Sequence, residues 1–413
     1  MTGSDQSMGR TVETQISGNA LKFRFLALLA TLMGFASIST DLYLPAMPVM
    51  GKELQADTGT MELTITGFLI GFSVGQLFWG PLGDRFGRRL PIALGILLFV
   101  VGSIGCGLSA SPTQIMVWRI VQAAGACSGV VLARAMVRDV YTGAEAARML
   151  STLLTVMAVA PLLGPFLGAY ILEHFGWRMI FFVLAAIGAI TIAALFSVPE
   201  TLPADKRLSG SLSAVFRSYG QIISDFKFLS FSISAGFFYL GVYAYVAGTP
   251  FAFIQYYGVD PKHYGVLFAL GVVGIIVTNT INRRLLRHFN HVTLLLCGAA
   301  GAATIGIATA AIEVLGYGQL WLLVVLLFLF ISFSGLILAN SMTGAMQDFP
   351  QRAGAASALA GAIQYGFGIF GSAAIGFLAN GTPGPLAVVI CVSGLGCLTF
   401  SLCSFLITAR HRH

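Results

Sequence analysis

Residues 75–89 read GQLFWGPLGDRFGRR. The stretch begins as apolar sequence and then places one aspartate and three arginines within six positions. Only 9% of the 413 residues are charged, and 57% are hydrophobic. Four charges between two apolar runs mark a turn between two helices that are apolar all round. Outward from this point the chain is a series of apolar runs of about twenty residues, the length that crosses ~30 Å of hydrocarbon as a helix. The 49 glycines fit that class, because glycine lets membrane helices pack closely.

Twelve spans are predicted, at 22–49, 58–80, 90–109, 113–137, 147–172, 177–197, 228–252, 262–283, 292–313, 319–346, 353–379 and 385–407. The fold class is therefore an all-α polytopic membrane protein built from two six-helix bundles. The domains are a tail at 1–21, a first bundle at 22–197, a polar linker at 198–227, a second bundle at 228–407 and a tail at 408–413. With the N-terminus inside, eighteen of the 23 Lys and Arg fall in inner segments, and only Lys52, Arg178 and Lys262 fall outside. That asymmetry predicts both termini in the cytoplasm. The first apolar run is too long for a cleaved signal peptide and is followed by many more.

The net charge of +7 does not indicate nucleic-acid binding, since the basic residues form short clusters between apolar runs. Cys106, Cys127, Cys297, Cys391, Cys397 and Cys403 lie in apolar runs without a CxxC pair, so no disulfide framework and no metal site are expected. No phosphate-binding GxxxxGK[ST], HExxH or GxSxG motif occurs, and no cofactor or enzymatic activity is expected.

Gly75-Gln-Leu-Phe-Trp-Gly-Pro-Leu-Gly-Asp-Arg aligns with Gly274-Ile-Ile-Val-Thr-Asn-Thr-Ile-Asn-Arg-Arg, half a chain later. Each copy sits at the inner end of the second span of its half. Arg283 replaces Asp84 and Leu286 replaces Gly87 in the second copy. Parallel repeats of six helices place a substrate cavity between the halves.

In that layout residues 81–89 form the inner link between spans 2 and 3. Gly80, Pro81, Gly83 and Gly87 permit a tight turn, Asp84 accepts hydrogen bonds, and Arg85, Arg88 and Arg89 bind carboxylates or lipid phosphates. This is a candidate conformational latch. Three arginines alone would fix topology, but the spacing G-x-L-x-D-R-x-G-R-R exceeds that need.

GPLGDRFGRR resembles the signature loop of the major facilitator superfamily, and the resemblance extends over residues 22–407. WRIVQAAGACSG, 118–129, is similar to the helix-4 motif of proton-coupled members, with Arg119, Gln122 and Gly125 in place. APLLGPFLGAYI, 160–171, is similar to the helix-5 motif of drug:proton antiporters, with Ala169 where a second glycine is common. STDLYLPAMPVM, 39–50, and ARAMVRDVY, 133–141, resemble the bicyclomycin-resistance (Bcr/CflA) branch. The resemblance implies proton-coupled export of neutral or zwitterionic antibiotics of the bicyclomycin, phenicol or sulfonamide kind. It also implies a monomer in a bacterial inner membrane. The alternative is a transporter of a natural metabolite, such as an amino acid or a sugar.

Ionisable residues inside spans are functional candidates by default. Asp41 lies ~12 Å below the outer boundary of span 1, and Arg119 ~9 Å deep in span 4, at 1.5 Å per residue. Both are expected to face one cavity, with Gln122 in the same network. Proton binding to a carboxylate depends on how dry the cavity is and how near a cation stands, so the pair suits proton and substrate coupling. Asp41 as a helix cap before Pro45, and Arg119 as an organiser of helix packing, are the structural alternatives. No second acid is expected deep in the cavity. Pro161, Gly164, Pro165 and Gly168 form a candidate antiporter seam, bendable at proline and close-packed at glycine. Phe35, Tyr43, Tyr239, Tyr243 and Tyr365, with Tyr245 and Phe251, are candidate cavity aromatics, and Trp118 and Trp177 candidate interface anchors.

Overall fold

A computed structural model describes residues 19–208 and 212–410. The expected tails, with Arg10, His411, Arg412 and His413, lie wholly or largely outside the described residues.

Twelve long helices follow one another. They are α1 (Leu21–Glu53), α2 (Thr58–Phe86), α3 (Arg89–Leu108), α4 (Pro112–Val140), α5 (Gly143–Phe175) and α6 (Trp177–Phe196). After the linker come α7 (Phe226–Tyr256), α8 (Pro261–Leu285), α9 (His291–Val314), α10 (Leu320–Met346), α11 (Ala353–Leu378) and α12 (Gly384–Arg410). Eleven are long and apolar enough to span a membrane by their described residues. The other, α5, is 33 residues long, and its described apolar part is Val159–Phe175.

Packing follows the repeat. In the first bundle α2 packs on α4, α3 on α4 and α6, and α1 on α5; in the second α8 packs on α10, α9 on α10 and α12, and α7 on α11. The aligned glycines do the same work in both halves. Gly75 leaves room for Cys127 of α4, and Gly274 leaves room for Ser332 of α10. The bundles meet along α2 with α11 and α5 with α8, each pair being the repeat-mate of the other.

Three span boundaries differ from expectation, each for a local reason. α1 is not one rod: it runs straight to Asp41, passes a tight turn at Leu44–Ala46 and resumes at Met47–Glu53, because Pro45 and Pro48 cannot donate to the preceding turn. α2 continues as helix through Pro81 to Phe86, so the link to α3 is only Gly87 and Arg88. Proline is tolerated there because the carbonyl it leaves free, that of Leu77, accepts the Tyr219 hydroxyl at 3.1 Å. Tyr219 belongs to the third difference, an amphipathic helix at Leu212–Ile223 within the expected polar linker. Val215, Tyr219 and Ile222 recur at helical spacing and turn inward, while Phe216 packs on Phe78 at 5.5 Å.

The side bearing Gly87 and the linker helix is called here the linker face, and the opposite side the far face. α7 ends at the far face in a wide π turn, Phe251–Tyr256.

Candidate functional site

Arg119 is fully buried inside the first bundle. Its Nη1 donates to the carbonyl of Ser39 at 2.8 Å and to Gln122 Oε1 at 2.9 Å. Gln122 Nε2 passes the chain on to Ser103 Oγ at 2.8 Å. The guanidinium lies over the rings of Tyr43 and Phe68, 4.7 and 4.4 Å from their centroids. Its Nε and Nη2 have no hydrogen-bond partner, and the two ring faces take their place. Tyr43 is held by Thr64, hydroxyl to hydroxyl at 2.5 Å.

Asp41 ends the straight part of α1 and is 5% exposed, with Oδ2 unpartnered. It forms no ion pair with Arg119. Arg119 turns into the bundle, whereas Asp41 stands just before the Leu44–Ala46 turn, which packs against α7 and α8 of the second bundle. The two charges expected to face one cavity are thus not paired with each other.

The α5 motif is built against Asp41. A Cβ placed on Gly164 would stand 2.5 Å from the Asp41 Cβ, and one on Gly168 would collide with the Leu42 carbonyl. Pro161 and Pro165 lie inside the same helix. The glycines therefore let α5 approach α1 at the one buried acid of the first helix.

Tyr239, Tyr243 and Tyr365 form a trio with centroids 5.4–5.9 Å apart, and Phe72 of α2 joins it at 4.4 Å from Tyr365. Three of the expected cavity aromatics thus come together between the bundles. Phe35 does not: it is 1% exposed and packs on Phe99 at 4.5 Å inside the first bundle. Tyr43 is fully buried as a support for Arg119. Trp177 is not an interface anchor either, being buried with Nε1 donating to Glu53 at 2.7 Å.

The linker face opens into a cavity of about 610 Å³ lined by Gln76, Asp84, Arg88, Arg134, Tyr219 and Arg352, among others. Among the described residues Arg134 has no ion pair or hydrogen bond, and it lines this cavity. At the far face the bundles are in contact along both seams. Gly59 meets Gly376 there, Gly265 faces the Phe166 ring, and Lys262 of α8 pairs with Glu173 of α5 at 2.7 Å.

At the linker-face turn Gly87 adopts φ +85°, a conformation glycine reaches without strain. A side chain there would also strike Glu200 and Arg207. Arg88 is the hub: Nη1 pairs with Asp84 at 2.6 Å, while Nε and Nη2 fork onto the two oxygens of Asp139 at 2.8 and 3.1 Å. Burial works against the Arg88 charge, yet the hydrogen bonds and charges of Asp139 and then Asp84 hold its proton affinity above the ordinary range. Glu200 closes the α3 N-terminus by accepting from the backbone N–H of Arg88 at 2.8 Å and of Arg89 at 3.1 Å. Arg85 is exposed over Phe86, Arg89 reaches the Phe196 carbonyl at 3.2 Å, Gly83 lies against Leu132, and Gly80 borders the cavity. The cluster ties α2, α3, α4 and the linker together.

Sequence reasoning missed Asp139, Glu200, Arg134 and Glu62. Asp139 and Arg134 lie in the ARAMVRDVY stretch and Glu200 in the PETLPADKR stretch, but Arg88, the partner of Asp139 and Glu200, is distant in sequence. Glu62 is a second buried acid, outside the central cavity to which the expectation referred: it is 3% exposed in α2 near the far face, with Oε2 unpartnered.

A family model described as Major Facilitator Superfamily matches residues 28–372. The chain is 34% identical over 380 residues to an uncharacterized MFS-type transporter of Bacillus subtilis strain 168, covering 90% of this chain and 94% of that one. It is 31% identical over 393 residues to a chloramphenicol resistance protein of Pseudomonas aeruginosa, with 88% of each covered. A bicyclomycin resistance protein homolog of Haemophilus influenzae is 28% identical over 368 residues, with 88% of this chain and 92% of that one covered. Among solved structures, a D-xylose-proton symporter superposes with a TM-score of 0.71 at 14% identity, over 92% of this chain and 97% of that one. A nucleoside transporter superposes with 0.73 at 12% identity, over 92% and 98%. These two likenesses concern the fold alone.

Proposed function

The chain belongs to the major facilitator superfamily of membrane transporters, and on that premise we propose that it is a proton-coupled exporter of small amphipathic antibiotics. It works by alternating access as a monomer in a bacterial inner membrane, with the linker face in the cytoplasm. The orientation rests on the Lys and Arg bias. The open linker face and packed far face then make this the inward-open state, ready to load a compound from the cell.

The observation that carries the reading is Asp41: a buried carboxylate with Oδ2 unpartnered at the α1–α5 crossing, just before the turn that packs on α7 and α8 of the second bundle. A proton on Asp41 and a compound among Tyr239, Tyr243 and Tyr365 change the same interface, so each alters the binding of the other. Arg119 and Gln122 position α1 by holding the Ser39 carbonyl two residues from Asp41. The aromatic trio offers apolar faces, and the free Arg134 guanidinium favours compounds with strong acceptors such as nitro, sulfonyl or carbonyl groups. The names of the resistance relatives point to the same compound classes.

The test is efflux of bicyclomycin and chloramphenicol from cells overproducing the protein, with and without a proton uncoupler, beside Asp41→Asn. Export that stops with the uncoupler and in the variant supports the reading. Wild type that moves neither compound replaces the drug by a natural metabolite. Export that continues in Asp41→Asn removes Asp41 as the proton site.

A further inference from the structure

Glu62 lies one turn into α2 at the far face, and its own carbonyl accepts the Ser372 hydroxyl at 3.4 Å. α2 is thus fastened to α11 at the residue that carries a buried acid. The side chain borders a cavity of about 310 Å³, separate from the linker-face cavity and from Asp41. Both bundles wall it: Thr58 and Glu62 come from α2, Phe251, Gln255 and Tyr256 from α7, and Asn380 from the segment after α11. Phe251, Gln255 and Tyr256 all belong to the π turn that ends α7.

Charge is unbalanced here. The α7 wall supplies an amide and a phenol, α11 and its following segment supply Asn380 and Thr382, and α12 supplies Pro385 and Leu386. No Lys, Arg or His lines the cavity, and the acid nearest in sequence, Asp57, caps the start of the same helix. The lining therefore offers one carboxylate, neutral oxygen acceptors and two aromatic faces. That set suits a cation with an apolar body, held by charge on one side and by a ring on the other. The volume equals roughly ten water molecules at ~30 Å³ each, room for an organic cation of about ten heavy atoms.

We propose that this far-face cavity is a second ligand site that takes a small organic ammonium cation on the Glu62 carboxylate. Because α2 and α7 both line it, the occupant bridges the bundles and holds the far face closed. A cation arriving from the far side would in this way lengthen the inward-open state. The site does not depend on which compound the central cavity exports.

The test is isothermal titration of the purified full chain in lipid nanodiscs with benzyltrimethylammonium, whose charge does not vary with pH. Benzyl alcohol is the uncharged control. The expected result is saturable binding of the cation, none of the alcohol, at least tenfold weaker binding in Glu62→Gln, and unchanged binding in Asp41→Asn. Asn380→Trp, which blocks the mouth and leaves the carboxylate in place, should lose binding too, and it decides the matter if Glu62→Gln does not fold. Absence of saturable binding to wild type overturns the site. So does equal affinity in Glu62→Gln, or loss in Asp41→Asn alone. Spin labels across the α5–α8 seam should show the open population shrinking as the cation is added; an unchanged distribution overturns the closing role. No arm measures transport, so a failed drug-export assay leaves this inference standing.

Discussion

Replacing Gly164 by alanine adds one methyl at the α1–α5 crossing. The new Cβ would stand 2.5 Å from the Asp41 Cβ and 3.4 Å from the Asp41 carbonyl carbon. Carbon atoms rest at about 3.5–4.0 Å, so the helices must part locally by about 1 Å. Overpacking of that kind costs about 1–3 kcal/mol. Where the cost falls on one conformation only, it shifts the balance of states by about 5- to 150-fold. Moving Asp41 disturbs the interface at which proton and compound meet. Proton-driven efflux from cells or liposomes should therefore drop at least fivefold in Gly164→Ala, while the protein inserts and still binds its compound. Gly168→Ala should behave alike, since its Cβ meets the Leu42 carbonyl. Gly34→Ala is the control, having nothing within 4 Å, and should transport as wild type. Full efflux and unchanged melting temperature in Gly164→Ala would show that α1 and α5 do not approach this closely in the working protein, and the argument would fail.

Asp41→Asn should bind compound yet lose proton-driven efflux, measured by counterflow beside uncoupler-sensitive export. Asp139→Asn leaves a buried Arg88 without half its fork and should cost about 3–5 kcal/mol in denaturant unfolding. Asp84→Asn should cost no more than about 1 kcal/mol, because Asp84 is 54% exposed and its pair is screened; equal losses would remove Asp139 from the centre of the cluster. Tyr219→Phe strands the Leu77 carbonyl, should cost about 1–3 kcal/mol, and should speed amide exchange over Leu212–Ile223. Burial, and then the Asp84 charge, push the Tyr219 phenol up to about 12. The proton is held more tightly when folded, so this anchor is intact below the ordinary tyrosine value of ~10 and is lost as pH rises through about 12. Tyrosinate absorbance against pH, in wild type and Tyr219→Phe, measures it.

The spans were legible because a membrane helix announces itself by length and composition, which need no partner. Their breaks were not. Pro81 reads as a helix end, and only Tyr219, far along the chain, makes it a helix interior. Asp41, Arg119 and Gln122 were legible because charge in an apolar run is rare. What each one touches was not: Arg119 chose two rings and the Ser39 carbonyl rather than Asp41. Glu62 sits near a span end, where an acid passes for a surface charge, yet it is buried beside a cavity lined by residues of both bundles. Asp139 and Glu200 are 51 and 112 residues from Arg88, beyond any local pattern. Phe35 shows the reverse error, since an aromatic in a span carries no mark of whether it faces a cavity or a neighbouring helix.

One helix meets nearly every part of this machinery. α2 carries Glu62 at the far face, Thr64 and Phe68 beside Arg119, Ser73 bonded to the Ala362 carbonyl of α11, Leu77 under Tyr219, and Asp84 at the turn. Its 29 residues make a rod of about 43 Å at 1.5 Å per residue. Pivoted near its middle, a tilt of ~10° swings each end by ~4 Å, in opposite directions. Mechanically it is a lever: prising it from α11 at the far end presses the Asp84 end the other way. Under the proposed alternating access, one beam would carry the opposition of the two faces without a separate messenger.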